Sequence, residues 1–385
     1  MQQGLTTTTK RSIVLLGGGH SHIEVIRQLA INPLANVEVT LISDDQHTPY
    51  SGMLPGLIAG HYNFSDCHID LAVLCQWAKI QFMQTYATAL DPNSNLVSCS
   101  NGTDISYDVL SINTGSQPNL NNILGARFGH AVKPIKSFIT DWESWLTTQQ
   151  SNTDSIPNVA VVGGGAASIE VILAIRHRLK ELHIDAKLSL ICGAENLLLS
   201  HNKKVQALIK TCLANANVMV YYNSAVTAAT MSGITINSRK TLSSDFTVWA
   251  VSAQAKPWLA NTMLSCNQDG FINVDSNLRS TSHHNIFAAG DTINFVNQAL
   301  PKAGVYAVRQ GAVISNNIRS TIHSTKTKLQ PYKPQQRFLS LLTTGDKHAI
   351  LSRGSLSLSG SWVWRWKHKI DSDFVNRFTP PNKAN

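Results

Sequence analysis

Two glycine-rich turns most restrict what this chain can fold into. Each turn follows an apolar run and precedes residues with helical periodicity. The first is Gly17-Gly-Gly19 after residues 13–16, and the second is Gly163-Gly-Gly165 after residues 159–162, about 146 residues further along. A second apolar stretch follows each helical one, which predicts a βαβ unit of the size that accommodates a dinucleotide. The repeated pattern predicts an α/β protein with two Rossmann-like dinucleotide-binding domains.

The composition excludes several other classes of protein. With 385 residues, of which 43% are apolar, the chain is long enough for two domains and is neither disordered nor fibrous. No run approaches the roughly 18 consecutive apolar residues that a membrane span needs, so we expect neither a transmembrane helix nor a signal peptide. The six cysteines form no C-x-x-C pair, which favours a reducing, cytoplasmic compartment.

The net charge of +9 is concentrated at the C-terminal end. Residues 301–385 hold 14 of the 32 lysines and arginines and 3 of the 23 acidic residues, so they carry +11 and leave −2 for residues 1–300. Trp362, Trp364 and Trp366 lie in the same segment. Tryptophan beside lysine and arginine favours a membrane surface as the partner, and no nucleic-acid-binding signature accompanies the charge. We therefore expect no nucleic acid partner.

Residues 362–378 are predicted to form an amphipathic helix. Its apolar stripe recurs every fourth residue and consists of Trp362, Trp366, Ile370, Phe374 and Phe378. The basic residues elsewhere around the helix are Arg365, Lys367, Lys369 and Arg377. Two interpretations remain open: the stripe inserts into a membrane surface, or it packs on the rest of the protein or on a second subunit.

Two further strand-and-turn patterns complete the order of motifs. Residues 107–115 predict a strand that ends at Thr114-Gly115, and residues 285–291 predict a short strand that ends at Gly290-Asp291. A helix is then predicted to begin near Gly304.

In this order the motifs resemble those of the two-dinucleotide-binding-domain flavoproteins over about residues 11–325. In that superfamily an NAD(P)H-binding domain is inserted into an FAD-binding domain. The resemblance implies a split FAD-binding domain of residues 11–120 and 262–325 and an NAD(P)H-binding domain of residues 121–261. A C-terminal segment, residues 326–385, follows them.

Shorter segments resemble particular subfamilies. Residues 47–61, with Thr48-Pro49 and Pro55, are similar to the Thr-Pro-rich segment of type II NADH dehydrogenases and sulfide:quinone oxidoreductases. Residues 17–22, 67–71 and 364–371 resemble a pyridine-nucleotide-disulfide-oxidoreductase-like subfamily that is fused to, or encoded beside, selenide, water dikinase. The resemblance implies an FAD-dependent oxidoreductase that takes a hydride from NADH or NADPH onto flavin N5. Its electrons would pass to a non-disulfide acceptor, with a quinone favoured.

The resemblance also implies the residues that bind the cofactors. The expected FAD residues surround the pyrophosphate, the ribose, the ribityl chain and the flavin ring: Gly17, Gly18, Gly19, His20, Asp44, Pro49, Thr114, Gly115, Gly290, Asp291, Lys302 and Gly304. The expected nicotinamide-nucleotide residues are Gly163, Gly165 and Glu170. Catalysis would be the flavin's own, with Lys302 and Glu170 in support, and no metal is expected. Lys302 could equally be a solvated loop lysine.

Other functions remain open at this stage. Cys67 and Cys75 lie eight residues apart, unlike the C-x-x-x-x-C pair of disulfide reductases. Val305 stands where type II dehydrogenases commonly have a quinone-lining glutamine, which weakens the expectation of a quinone. The Cys192-Gly193-Ala194 turn has neither the acid typical of NAD binding nor the arginine typical of NADP binding, so the sequence does not distinguish NADH from NADPH. The alternatives are a selenium or sulfur redox enzyme linked to selenophosphate synthesis, and a flavin-binding membrane partner without turnover. We expect a cytoplasmic protein, peripheral on the cytoplasmic membrane face.

Overall fold

Parallel sheets organise the chain in the computed structural model, which describes residues 10–151, 155–323, 328–336 and 338–381. Up to residue 118 the strands are β1 (Arg11–Leu16), β2 (Val37–Ser43), β3 (His47–Pro49), β4 (His68–Asp70), β5 (Gln81–Gln84), β6 (Ala87–Asp91), β7 (Leu96–Cys99), β8 (Asp104–Ser106), β9 (Val109–Ile112) and β10 (Gln117–Pro118). The α-helices of this stretch are α1 (His20–Ile31), α2 (Leu54–Ile58), α3 (Phe64–Cys67) and α4 (Leu71–Ala78).

The next stretch runs to residue 254. It contains β11 (His130–Ala131), α5 (Ile135–Ser151), β12 (Asn158–Val162), α6 (Ala166–Glu181), β13 (Lys187–Ile191), α7 (Lys203–Asn215), β14 (Val218–Tyr221), β15 (Val226–Thr230), β16 (Gly233–Ile236), β17 (Lys240–Ser243), β18 (Phe246–Trp249) and β19 (Ala253–Gln254). The rest of the chain contains β20 (Ile272–Val274), β21 (Ile286–Ala288), β22 (Ile293–Phe295), α8 (Gly304–Ile322), β23 (Ser340–Thr343), β24 (Ala349–Arg353), β25 (Leu356–Gly360) and α9 (Ser361–Asn376).

The chain builds the same architecture twice. One parallel sheet has the order β21-β9-β1-β2-β5 and the other has the order β11-β18-β12-β13-β14. Each is accompanied by an antiparallel three-stranded meander, β6-β7-β8 or β15-β16-β17. We call residues 10–118 with 255–323 the first unit, and residues 119–254 the second unit. The predicted α/β class with two Rossmann-like units is confirmed.

The two units differ in where their outer strand comes from. In the second unit this strand is β11, which precedes the rest of its sheet in the chain. In the first unit it is β21, which pairs with β9 only after the chain has passed through the whole second unit. The outgoing and returning chains pair as β10 and β19, with Gln117 opposite Gln254. Strand β1 is apolar from Ile13 to Leu16, as a strand buried on both faces requires.

A buried histidine occupies the position of the usual third glycine in the first motif. His22 lies in the first turn of α1. Its Nδ1 is 2.6 Å from the carbonyl oxygen of Gly17, and its Nε2 is 2.8 Å from the hydroxyl of Ser111 in β9. Because a carbonyl only accepts, Nδ1 donates to Gly17 and Nε2 accepts from Ser111. Burial lowers the pKa of His22 to about 4, so a neutral ring fastens the turn to the neighbouring strand.

The C-terminal segment, residues 328–381, joins both units. Its antiparallel sheet β23-β24-β25 packs against α9 through Ala349, Leu351 and Val363. The turn after β23 lies on α6 of the second unit, where a Cβ on Gly345 would meet the carbonyl oxygen of Leu173 at 2.3 Å. The other end of α9 packs on the first unit.

A helix occupies the predicted tail region, and its apolar stripe is divided between solvent and the core of the first unit. Trp362, Trp366 and Ile370 are exposed, whereas Phe374 and Phe378 pack against the core of the first unit. The basic residues divide in the same way. Arg365 and Lys369 are exposed, Lys367 is buried in an ion pair with Asp371, and Arg377 pairs with Glu24 of α1. The reason is that the helix crosses from solvent onto the first unit partway along its length.

We expect His22 to make the folded state sensitive to acid. Its pKa falls from 6.5 to about 4 on folding, so between these values the unfolded chain binds the extra proton and stability decreases as the pH falls. At 1.36 kcal/mol per pKa unit the loss is at most about 3 kcal/mol. His22→Asn keeps a donor for Gly17 but does not titrate. Urea unfolding at neutral pH and near pH 4.5 should show a smaller acid loss in the variant, and an equal loss in both proteins would contradict the assignment.

Candidate functional site

Asn113, at the end of β9, holds three turns of the first unit together. Its side-chain Nδ2 donates to the carbonyl oxygen of Ala289 at 2.7 Å, and its Oδ1 accepts from the backbone N–H of Ser21 at 3.1 Å. Two glycines with positive φ make this approach possible. A Cβ on Gly17 (φ 95°) would lie 2.6 Å from the Asn113 carbonyl oxygen, and one on Gly290 (φ 71°) would lie 2.5 Å from Asn113 Nδ2. The predicted turns at Gly17, Thr114-Gly115 and Gly290-Asp291 therefore converge at the carboxyl ends of β1, β9 and β21.

The predicted FAD residues that the structure describes lie around these strand ends, and we call this region the flavin groove. Gly19 and His20 form the start of α1, and Asp44 is exposed just beyond the end of β2. The His20 ring lies 5.5 Å from the Tyr50 ring, which follows Pro49. Gly304 begins α8, and a Cβ on it would lie 3.5 Å from the Ser51 hydroxyl. The start of α8 thus faces the segment of residues 49–55, which contains Pro49 of the expected FAD residues.

Asp291 lies at the centre of a small charged cluster. Its Oδ2 accepts from Lys133 Nζ at 2.7 Å and from the Ser116 hydroxyl at 3.2 Å. Burial raises the pKa of Asp291, but the Lys133 charge and hydrogen bonds outweigh it, so that the pKa lies below its usual value. The carboxylate is therefore ionised at neutral pH and can accept a hydrogen bond from a hydroxyl.

Lys302 is held by the protein rather than solvated. Its Nζ donates to the carbonyl oxygen of Ile293 and lies 3.6 Å from the centre of the Phe271 ring. Burial lowers its pKa to about 8. The alternative of a solvated loop lysine is therefore wrong, and Lys302 stands beside Asp291 at the end of the flavin groove near α8.

The flavin groove has unpaired groups suited to a dinucleotide. Among the described residues, the Thr114 hydroxyl is buried without a hydrogen-bond partner. Gly19, the N-cap residue of α1, has no side chain to cap the helix, and among the described residues Asn113 binds only the Ser21 N–H at this end, which leaves the N–H groups of Gly19 and His20 for an anion. A Cβ on Gly115 would meet no described atom within 4 Å. These features fit FAD.

The second unit offers a similar but more open phosphate loop. Gly163 (φ 146°) closes the turn after β12, and Ser168, in place of the third glycine, donates its hydroxyl to the Gly165 carbonyl oxygen at 2.8 Å. A Cβ on Gly165 or Gly193 would meet no described atom within 4 Å. The loop therefore fits a nicotinamide dinucleotide along the N-terminus of α6.

Glu170, on α6, is bound to the C-terminal segment. One of its carboxylate oxygens accepts from the backbone N–H of Thr343 at 2.9 Å and from the Thr343 hydroxyl at 3.1 Å. Burial raises the pKa of Glu170, while the nearby Lys367 and the bonds from Thr343 oppose that rise. Thr343 thus already forms hydrogen bonds with one oxygen of this carboxylate, which was predicted to lie at the nicotinamide nucleotide.

A cleft between α2 and α9 lies beside the segment of residues 49–55. We call it the α2–α9 cleft; it is narrow and partly open to solvent, with an accessible volume of about 10 Å³, and it is lined by Gly52, Pro55, Gly56, Ala59, His61, Tyr62, Thr343, Gly345, Trp364, Lys367 and Asp371. Trp364, His368 and Tyr62 form a stack with successive ring centres 5.4 and 5.5 Å apart. The cleft therefore has aromatic walls, and the sequence analysis did not identify it.

A buried ion pair forms the polar wall of the α2–α9 cleft. Lys367 Nζ lies 2.5 Å from the Asp371 carboxylate and donates to the Gly52 carbonyl oxygen at 2.7 Å. Helix α9 is thereby fastened to the segment that borders the flavin groove. The sequence pattern identified Lys367 only as one of the basic residues of the helix. Its burial could not be predicted, because it depends on how α9 packs against the rest of the protein.

The cysteines have the environment of structural thiols. All six are free, and Cys67 and Cys75 belong to separate helices, α3 and α4, with β4 between them. Burial raises the pKa of each of these two thiols to about 12, so neither is a thiolate at neutral pH. Within the described ranges, no cluster of three or more His, Cys, Asp or Glu side chains suits a metal ion.

Comparison with known proteins agrees with this geometry. A family profile described as "Pyridine nucleotide-disulphide oxidoreductase" matches residues 11–311. Demethylphylloquinone reductase NdbB of Synechocystis is 23% identical over 92% of this chain and 89% of its own length. The sulfide-quinone reductase of Aquifex aeolicus is 23% identical over 83% of this chain and 79% of its own. The structure of NDH2 from Plasmodium falciparum with NADH superposes with a TM-score of 0.81 at 17% identity, covering 96% of this chain and 99% of that one.

We expect Asn113→Ala to loosen the three converging turns. The buried Ser21 N–H and Ala289 carbonyl would each lose a partner, at a cost of about 1–3 kcal/mol of unfolding free energy per group. Urea unfolding measures this loss, and gel filtration with absorbance at 450 nm measures how much yellow cofactor stays bound. Replacement of the exposed Asn121 by alanine is the control. A variant as stable as that control would show that the Asn113 amide does not hold the turns.

Proposed function

Because this chain belongs to the pyridine nucleotide-disulphide oxidoreductase family, we propose that it is an FAD-dependent oxidoreductase that passes electrons from NADH or NADPH to a quinone. The observation that carries the proposal is the pair of glycine loops, each of which ends in a glycine N-cap at the start of a helix, at the carboxyl end of a parallel sheet. Both relatives compared above have names that denote quinone reduction.

The first unit supplies the FAD site in this proposal. The backbone around Gly17–Gly19 binds the pyrophosphate together with the start of α1, and Asp44 binds the adenosine ribose. Thr114 and Asp291 hydrogen-bond to the ribityl chain. Residues near the flavin ring are Pro49, Gly115, Gly290, Lys302 and Gly304. FAD, when bound, accepts a hydride from the reduced nicotinamide and delivers two electrons to the acceptor.

The second unit supplies the nicotinamide nucleotide site. The N–H groups at Gly163–Gly165 bind its pyrophosphate, and the open space at Gly193 receives the adenosine ribose. Glu170 has a structural part in this proposal, because its bonds to Thr343 hold the C-terminal segment against α6. Its charge lies close to Lys367 at the α2–α9 cleft.

We propose that the quinone docks at the solvent-open mouth of the α2–α9 cleft, because the accessible volume of about 10 Å³ inside the cleft is too small for a ring. The aromatic side chains of Tyr62 and Trp364 suit a flat ring, and the cleft borders the segment of residues 49–55 that faces the start of α8. Reduction of a quinone to a quinol consumes two electrons and two protons, of which hydride-level transfer from the reduced flavin would supply both electrons and one proton. Lys367, paired with Asp371, would orient the quinone oxygen and pass on the second proton, which solvent replaces. Val305, which stands where type II dehydrogenases commonly have a glutamine, is partly buried against the core of the first unit.

The basic, tryptophan-bearing end of the chain would bring this cleft to the membrane, where quinones reside. No helix in the described ranges is long and apolar enough to cross a bilayer. Trp362, Trp366 and Ile370 remain exposed on the solvent side of α9, and Arg365 and Lys369 flank them. We propose that this exposed face of α9 binds the cytoplasmic membrane surface.

A second candidate is selenium or sulfur redox chemistry that serves selenophosphate synthesis. The observation that favours it is the likeness of residues 17–22, 67–71 and 364–371 to the subfamily associated with selenide, water dikinase. The high thiol pKa values of Cys67 and Cys75 disfavour a cysteine relay in such a reaction. A flavin-binding partner without turnover is the third candidate.

Anaerobic titration of the FAD-loaded protein separates these candidates. We expect NADH or NADPH to bleach the flavin absorbance and a soluble quinone to restore it, whereas sulfide and selenide should have no effect. Lys367→Met should lower quinone reduction at least tenfold and leave reduction of ferricyanide, which needs no proton, nearly unchanged. Lys369→Met is the matched control, because Lys369 forms the same i,i+4 pair in solvent. Bleaching by selenide alone would favour the second candidate, and no bleaching would favour the third.

Vesicle sedimentation tests the membrane surface. The full chain should bind vesicles that contain anionic lipid and should be released by salt, since each basic residue near such a surface contributes about 1 kcal/mol. Serine at positions 362, 366 and 370 should abolish binding. Serine at Leu199, Met219 and Met231, which are exposed on the second unit, should not. Equal binding by both triple variants would remove α9 as the membrane contact.

A further inference from the structure

Two lysines of the second unit reach across to the first unit. They flank Pro134 and Ile135 where the chain leaves β11 and enters α5, and we call residues 133–136 the lysine strap. Lys133 Nζ lies 2.7 Å from Asp291 Oδ2, and Lys136 Nζ lies 3.1 Å from Asp45 Oδ2. Ile135 between them is buried in the core of the second unit. One short segment therefore makes two ion pairs with carboxylates that lie far apart in the sequence.

The two carboxylates stand at opposite ends of the flavin groove. Asp291 follows the Gly290 turn, where the ribityl chain is proposed to lie, and Asp45 follows Asp44, where the adenosine ribose is proposed to lie. The pyrophosphate of FAD connects those two groups. The lysine strap therefore passes beside the place that the pyrophosphate must occupy.

Among the residues that the structure describes, no other cation is placed to pair with a phosphate there. The first turn of α1, residues 20–23, contains no lysine or arginine, and its two histidines are neutral because burial lowers each pKa to about 4. The positive charge of Lys133 also contributes to the lowered pKa of His20, which places that charge close to the start of α1. Lys302 already donates a hydrogen bond to the Ile293 carbonyl oxygen and lies over the Phe271 ring.

The charge balance also requires cations. Asp44, Asp45 and Asp291 give the groove three carboxylates, and a pyrophosphate adds two more negative charges. The dipole of α1 supplies only about half a positive charge. Two lysines on the opposite wall reduce this repulsion, and an ammonium with several donors is able to bind a carboxylate and a phosphate oxygen together.

We propose that the lysine strap is part of the FAD site: Lys133 binds the FAD pyrophosphate while it remains paired with Asp291, and Lys136 fastens the strap to Asp45. This inference rests on the proposed function. Because the strap opens α5, FAD also becomes a bridge between the two units. Flavin binding and the docking of the second unit are then coupled.

Titration of flavin-free protein with FAD tests the strap, with flavin fluorescence as the readout at low and high salt. A lost charge-assisted hydrogen bond predicts an affinity about 10- to 100-fold lower for Lys133→Met, with a weaker dependence on salt than in the parent. Lys133→Arg should stay within about threefold of the parent. Lys136→Met removes an exposed pair and should cost about threefold or less. Lys10→Met, which breaks the exposed pair with Glu38, is the control.

Hydrogen exchange gives a readout that does not depend on activity. FAD should slow exchange of the backbone N–H groups at the start of α5 in the parent and in Lys133→Arg, but not in Lys133→Met. Unchanged FAD affinity in Lys133→Met at both salt concentrations would overturn the proposal, and so would an equal loss in Lys133→Arg. Failure of the unmodified protein to bind FAD would instead refute the proposed function, so the two failures are distinguishable.

Discussion

One buried amide, that of Asn113, is the interaction on which the site depends. It connects the start of α1, the end of β9 and the end of β21 through two hydrogen bonds of 3.1 and 2.7 Å. The turns come this close because Gly17 and Gly290 have no Cβ. The groups proposed to bind FAD lie on these turns or close to them. The geometry of the site is thus set by backbone packing before any ligand is considered.

The parts of the fold that follow from local pattern could be predicted. Two apolar runs followed by glycine turns were enough for the parallel sheets, and four-residue periodicity was enough for the helix near residues 362–378. Asn113 itself was accessible in principle, since it directly precedes Thr114-Gly115 at the end of a predicted strand. The cofactor residues were predicted through a resemblance, and the structure brings the residues of the first unit into one groove.

What could not be predicted depends on docking between elements distant in the sequence. Lys367 and Lys369 each have an aspartate four residues later, yet the first pair is buried and the second lies in solvent. Nothing in their local sequence separates them, because the difference arises where α9 meets Gly52 and Tyr62. Lys133 is a similar case: its partner Asp291 is 158 residues away. A periodic stripe shows which side chains share a face but not what that face meets.

The placement of β21 has a consequence for how the protein is made. The sheet of the first unit stays incomplete until the ribosome has synthesised the whole second unit, since β21 pairs with β9 across that insertion. Asn113 is synthesised early, and its Nδ2 can donate to the Ala289 carbonyl oxygen only after Ala289 has been synthesised. The nascent first unit therefore emerges with an open sheet edge beside β9. All strands of the second sheet, from His130 to Trp249, are therefore synthesised before β21 is available to complete the first sheet.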